Sequence, residues 1–136
     1  MSIKKFLSLW LPVILWASLI FFLSSKPTKV VSGFVWWDFI IKKTAHIVEY
    51  AIFYFLIFRA VNNLELRIHN LQCKINNKKI NWLIPFFMLI LYAASDEYHQ
   101  SFIPGRTAKV RDVGFDLFGG ILSWWQIKSR ILGIRN

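Results

Sequence analysis

From Phe6 to Leu23 the chain carries no charge. A stretch of that length constrains the fold more than any motif, because about 20 apolar residues in a helix match the hydrocarbon core of a bilayer. Lys4 and Lys5 precede it, as in a secretory signal. Its apolar core is longer than the ~7–15 residues of a signal segment and no small-x-small cleavage site follows, so the expectation is a retained span. Composition agrees. The chain is 56% hydrophobic with a mean hydropathy of +0.45, above the range of ordinary soluble domains, and 136 residues leave room for one domain.

Three further spans are predicted at about 45–61, 80–100 and 112–127. The expected fold class is therefore all-α, a polytopic membrane protein with four transmembrane helices in a single domain covering 1–136. Spans 2 and 4 are short, and cross only if their polar first turns dip into the headgroup region or a shared cavity. Between spans 1 and 2, Ser24 to Lys29 breaks the helix, and Val30–Ile41 carries Phe34, Trp36, Trp37 and Phe39 with one acid, Asp38. That pattern predicts an aromatic-rich interfacial segment. The polar, basic stretch 62–79 reads as a cytoplasmic loop.

The net charge of +10 alone would suit nucleic acid, but the basic residues bracket apolar runs and no recognition helix or stacking module accompanies them. Topology and anionic lipid headgroups explain them better, and nucleic acid is not an expected partner. Of the 17 Lys and Arg, ten fall on the side that holds both termini and the 62–79 loop. The positive-inside rule then places both termini in the cytoplasm of a cell-membrane protein. Cys73 is the single cysteine, so neither an intramolecular disulfide nor a Cys-based metal site is available.

Nearly every unusual polar residue lies where four alternating spans bring their ends together: the end of span 1, the start of 2, the end of 3 and the start of 4. His46, Glu49 and Tyr50 fall at i, i+3 and i+4 on one face of span 2, and Asp96, His99 and Gln100 repeat that spacing on span 3, with Glu97 a quarter-turn away. Asp112 and Asp116 are four apart on span 4 and lead into a stripe of Gly119, Gly120 and Ser123, the small residues that let membrane helices approach closely. Lys43, Arg106 and Arg111 are the nearby cations. Ionisable groups in or beside hydrocarbon are costly to hold and mark functional sites.

Two chemistries fit this set. His46, Glu49, Asp96 and His99 are candidate ligands of a divalent metal, since imidazole and carboxylate suit zinc, iron or manganese, and His46-x-x-Glu49 and Asp96-x-x-His99 have the spacing of carboxylate metal bundles, one of them reversed. A metal-free site would use His46, Glu49, Asp96, Glu97, His99 or Asp112 as acids and bases, with Lys43, Tyr50, Gln100, Arg106 and Asp116 binding the substrate. Pro104-Gly105-Arg106 is expected to turn tightly and aim a planar guanidinium at an anionic group. The same residues also suit a purely structural role, locking helix ends together by buried pairs. Ser24, Ser25 and Ser95 read as backbone-bonding residues.

The residues Ser24-Ser25, Lys43-x-x-His46-x-x-Glu49-Tyr50-Ala51, Asp96-Glu97-x-His99-Gln100-Ser101-Phe102-Ile103-Pro104-Gly105-Arg106 and Asp112-Val113-x-x-Asp116-x-x-Gly119 resemble the VanZ-like family of small membrane proteins, over most of the chain. Many members carry Asn where Asp116 stands. The family's founding member is associated with resistance to teicoplanin, a lipoglycopeptide directed at the lipid-linked cell-wall precursor. The resemblance implies a cell-envelope role and partners among membrane lipids, a lipid-linked wall precursor or a lipoglycopeptide. It brings no settled activity, so a membrane-embedded hydrolase or transferase and a non-catalytic partner of a wall enzyme both stand, with oligomeric state open.

The charge asymmetry yields a direct expectation: a reporter fused after Asn136 should score as cytoplasmic. An extracellular signal would overturn the topology.

Overall fold

The computed structural model describes residues 3–27, 35–63, 65–68, 71–74, 78–104, 106 and 109–133. Four helices run α1 (Ile3–Ser24), α2 (Val35–Asn62), α3 (Lys78–Gln100) and α4 (Val110–Gly133). The expected helices are found within about three residues of their predicted bounds except at the start of α2 and at the end of α4, which runs six residues past the predicted 127. Helix α2 begins about ten residues before the predicted 45, so Trp36, Trp37 and Phe39 form its first turns in place of a separate interfacial segment; residues 30–34 of that segment lie outside the described residues. The 62–79 stretch, expected to be a loop, contains a two-stranded antiparallel hairpin, β1 (Glu65–Ile68) and β2 (Leu71–Lys74), in which Glu65 pairs with Lys74 and Ile68 with Leu71.

Ile3–Ser24 and Phe39–Asn62 are long and apolar enough to cross a membrane. Helix α2 is the hub. It touches α1, α3 and α4, most extensively α4, whereas α1 and α4 share no contact among the described residues. Its inward residues Tyr50, Phe53, Tyr54, Ile57, Phe58, Ala60 and Val61 make most of the core, joined by Ile20 of α1 and by Leu89 and Ala93 of α3. Aromatic pairs lock α2 to α3 at successive turns: Phe53 with Tyr92 (ring centroids 4.7 Å apart), Tyr54 with Phe86 (4.5 Å) and Phe58 with Trp82 (4.5 Å). Such offset and tilted pairs add to the burial of their own area.

The outer surface is apolar on every helix. Leu7, Leu11, Ile14, Leu15 and Phe22 of α1, Leu83, Phe87 and Leu91 of α3, and Phe118, Ile121 and Trp125 of α4 are all exposed. Water tolerates contiguous apolar patches of that extent poorly, and lipid tails cover them without cost.

The small-residue stripe of α4 does what its composition predicts. A Cβ on Gly119 would collide with the backbone carbonyl of Ile47 on α2, and one on Gly120 with the side chain of Leu89, whereas nothing lies within 4 Å of a Cβ on Gly114. Close backbone approach is therefore specified at residue 119, where the obstacle is main chain and cannot rotate away. Gly119→Ala should lower the thermal unfolding midpoint of the detergent-solubilised protein, at an overpacking cost of roughly 1–3 kcal/mol. Gly114→Ala should leave the midpoint unchanged or raise it slightly through helix propensity. Equal midpoints for the two variants would refute the close contact.

Candidate functional site

Because consecutive helices alternate in direction, the end of α1, the start of α2, the end of α3 and the start of α4 meet at one end of the bundle. Asp96, 3% exposed, is its centre. One oxygen, Oδ2, accepts from Ser24 Oγ of α1 at 2.9 Å, from Gln100 Nε2 one turn on at 2.7 Å and from Tyr50 Oη of α2 at 3.4 Å. The other, Oδ1, is buried with no hydrogen-bond partner among the described residues. A single carboxylate thus ties three helices, and Gln100 also reaches Ser24 Oγ at 3.4 Å.

Helix α4 is fastened to α2 by two pairs on the face predicted from the i, i+4 spacing. Lys43 Nζ lies 2.9 Å from Asp112 Oδ2, and His46 Nδ1 lies 3.2 Å from Asp116 Oδ1. Exposed Arg111 adds a longer contact, 3.8 Å, to Asp112 Oδ1. His46 stacks over Tyr50, linking these pairs to the Asp96 centre. Glu97, predicted to point away from that centre, accepts the backbone N–H of Lys109 at 3.1 Å just before α4 begins. A carboxylate there satisfies an otherwise orphan donor and complements the positive end of the helix dipole.

His99 and Arg106 sit against the end of α1. His99 Nε2 is 3.0 Å from Ser25 Oγ, and its ring stacks on Phe21 with centroids 4.2 Å apart. Across the expected turn, whose Gly105 lies outside the described residues, Arg106 N–H donates to Ile103 O. Its guanidinium, however, bonds to protein: Nη2 donates to Leu23 O in the last turn of α1 at 3.3 Å and Nε to Lys26 O just beyond it at 3.2 Å. Burial pulls the guanidinium below its ordinary value, and the fields of Asp96, Glu97 and Glu49 offset part of that. Arg106 remains charged, with Nη1 and one N–H of Nη2 uncommitted.

Glu49 differs from all of these. Its carboxylate makes no hydrogen bond or ion pair among the described residues, although it lies in the fields of His46, Asp96, Asp116 and Arg106. Only its backbone is engaged, accepting Trp16 Nε1 at 2.9 Å. The side chain faces a groove of about 480 Å³ between α1 and α2.

The predicted residues therefore gather at one end of the bundle but divide into small sets. The four metal candidates do not converge: His46 faces Asp116, His99 faces Ser25, Asp96 is saturated on one oxygen by neutral donors, and among the described residues no three His, Cys, Asp or Glu form a ligand set. The residues present do not fit a divalent ion. The backbone bond expected of Ser25 forms, from Oγ to Phe21 O at 2.7 Å, but sequence reasoning missed the contacts of Ser24 with Asp96 and of Ser25 with His99, and the role of Trp16. A repeated serine where an apolar span ends was the available signal for the first two, and nothing singled out Trp16 from the other aromatics of α1.

A family model described as VanZ/LLP1 matches residues 9–132. No match was found among curated proteins or among solved structures.

The bonding pattern ranks substitutions. Ser24→Ala removes a short charge-assisted bond to Asp96 and should destabilise by about 1.5–3 kcal/mol, and Tyr50→Phe, whose contact is long, by less. His46→Ala should cost about 3–5 kcal/mol, because it leaves Asp116 buried and alone. Unfolding in detergent measures all three, and a Tyr50→Phe loss larger than that of Ser24→Ala would contradict the assigned geometry.

Proposed function

The chain belongs to the VanZ/LLP1 family, membrane proteins linked to glycopeptide resistance, and from that premise we propose that it is a four-span protein of the bacterial cell membrane. Both termini face the cytoplasm, and the polar helix ends form a pocket at the outer leaflet that binds or modifies an amphiphile. Lipids, lipid-linked wall precursors and lipoglycopeptides share the required chemistry of a polar head on an apolar tail. The apolar exposure of α3 and α4 supports four spans even though these helices are less hydrophobic overall than α1 and α2. Their polar residues lie at the two helix ends and, as with Asp116 and Ser123, on inward faces.

The observation that carries the reading is the unspent carboxylate of Glu49. A group that only braced helices would have a partner, as Asp96, Asp112 and Asp116 do. A carboxyl side chain with no partner among the described residues beside an apolar groove is costly, and its retention suits a ligand. The competing reading is a non-catalytic scaffold or partner of a wall enzyme. The self-pairing of Lys43 with Asp112 and of His46 with Asp116 favours it.

Tolerance to a lipidated glycopeptide such as teicoplanin, with vancomycin as the control lacking the tail, separates these readings in a susceptible Gram-positive host. Wild type should shift tolerance more for the lipidated drug. Glu49→Gln should abolish that shift at unchanged abundance, because it breaks no bond of the fold. Arg106→Lys keeps the charge but loses the planar fork, so its loss of effect should come with weaker α1 packing. A full shift retained by Glu49→Gln would defeat the site assignment, and equal shifts for both drugs would count against an amphiphile pocket.

A further inference from the structure

Resting on that reading, we propose that the groove between α1 and α2 selects amphiphiles whose headgroup carries a primary ammonium that pairs with Glu49. Trp16 of α1 and Trp37, Ile40, Ile41, Val48 and Ile52 of α2 line the groove, and Glu49 is the one ionisable residue among its lining residues. A volume of about 480 Å³ lies within the range of small-molecule sites. Apolar walls with a single charged group define both ends of the ligand: a hydrocarbon part, and a head that answers a carboxylate.

The sign and the hydrogen-bonding character of that head follow from what the neighbours already do. Lys43 is held by Asp112, His46 by Asp116, and Arg106 by the carbonyls of Leu23 and Lys26. Among the described residues no cation closes on Glu49. A primary ammonium supplies one charge and three donors. A quaternary ammonium supplies the charge and no donor, and a purely anionic head adds repulsion. In a low-dielectric groove the ammonium–carboxylate pair gains further strength.

Bromine on an acyl chain quenches tryptophan at contact range, and Trp16 and Trp37 stand in the groove walls. The full chain is reconstituted into phosphatidylcholine vesicles and titrated with brominated-chain phosphatidylethanolamine, phosphatidylcholine or phosphatidylglycerol at equal mole fraction. These lipids share the phosphate and differ in the rest of the head, so the comparison isolates the ammonium from the phosphate. The primary-amine lipid should associate roughly fivefold more strongly than either other lipid, the increment of one charge-assisted hydrogen bond. Trp37→Phe should remove part of the selective quenching, and Glu49→Gln should reduce phosphatidylethanolamine to the phosphatidylcholine level. Ala45→Trp, which fills the groove from an exposed position, is the second variant should Glu49→Gln reconstitute poorly, and it too should abolish selectivity. Equal association of all three lipids, or selectivity that survives Glu49→Gln, overturns the proposal. A preference for phosphatidylglycerol overturns it while leaving the broader amphiphile reading intact, whereas no association above the background lipid removes both.

Discussion

A carboxylate inside an apolar bundle must be solvated by protein, and the placing of Asp96 depends on that requirement. Its three donors come from the end of α1, the middle of α2 and the next turn of its own helix. Satisfying one oxygen therefore sets the axial register of three helices at once. Hydrophobic contact alone would let these helices slide, because one apolar ridge packs about as well as its neighbour, whereas a hydrogen bond tolerates a few tenths of an ångström. The fourth helix takes its register from Gly119, which seats against the main chain of Ile47, and from the two ion pairs with α2.

With register fixed, the remaining polar groups divide by what they bond to. Arg106 and Glu97 terminate helices, one at the carbonyl end of α1 and the other at the amide start of α4. Lys43, His46, Asp112 and Asp116 join helices side to side. Once those tasks are assigned, Glu49 and the buried Oδ1 atoms of Asp96 and Asp112 have no hydrogen-bond partner among the described residues. The ligand inference rests on that remainder more than on the abundance of charge.

Much of this was legible in the sequence, because charge is conspicuous among apolar residues. The helical spacing of His46, Glu49 and Tyr50 and of Asp96, His99 and Gln100 put them at the same end of the bundle, and Gly119 and Gly120 marked a close approach. The partners were not legible. Which acid meets which base depends on helix rotation and register, so Arg106 read as a ligand clamp although its donors bond carbonyls at the end of α1. The start of α2 was misjudged because Trp36, Trp37 and Phe39 beside Asp38 have the composition of an interfacial segment, and composition does not distinguish that from the first turns of a long helix. The hairpin in 62–79 escaped because its four-residue strands carry too little alternation to stand out from a basic loop.

The groove that ends at Glu49 opens on the flank of the bundle, between α1 and α2, and its walls include residues as exposed as Trp37 at 61% and Val48 at 52%. In a four-span arrangement that flank borders lipid. A ligand would then arrive by lateral diffusion within one leaflet, already partitioned. Occupancy would follow its mole fraction in that leaflet, and an aqueous dissociation constant would vary with the amount of membrane in the assay. Two amphiphiles with the same head but different tails would differ mainly in how much of each the bilayer stores.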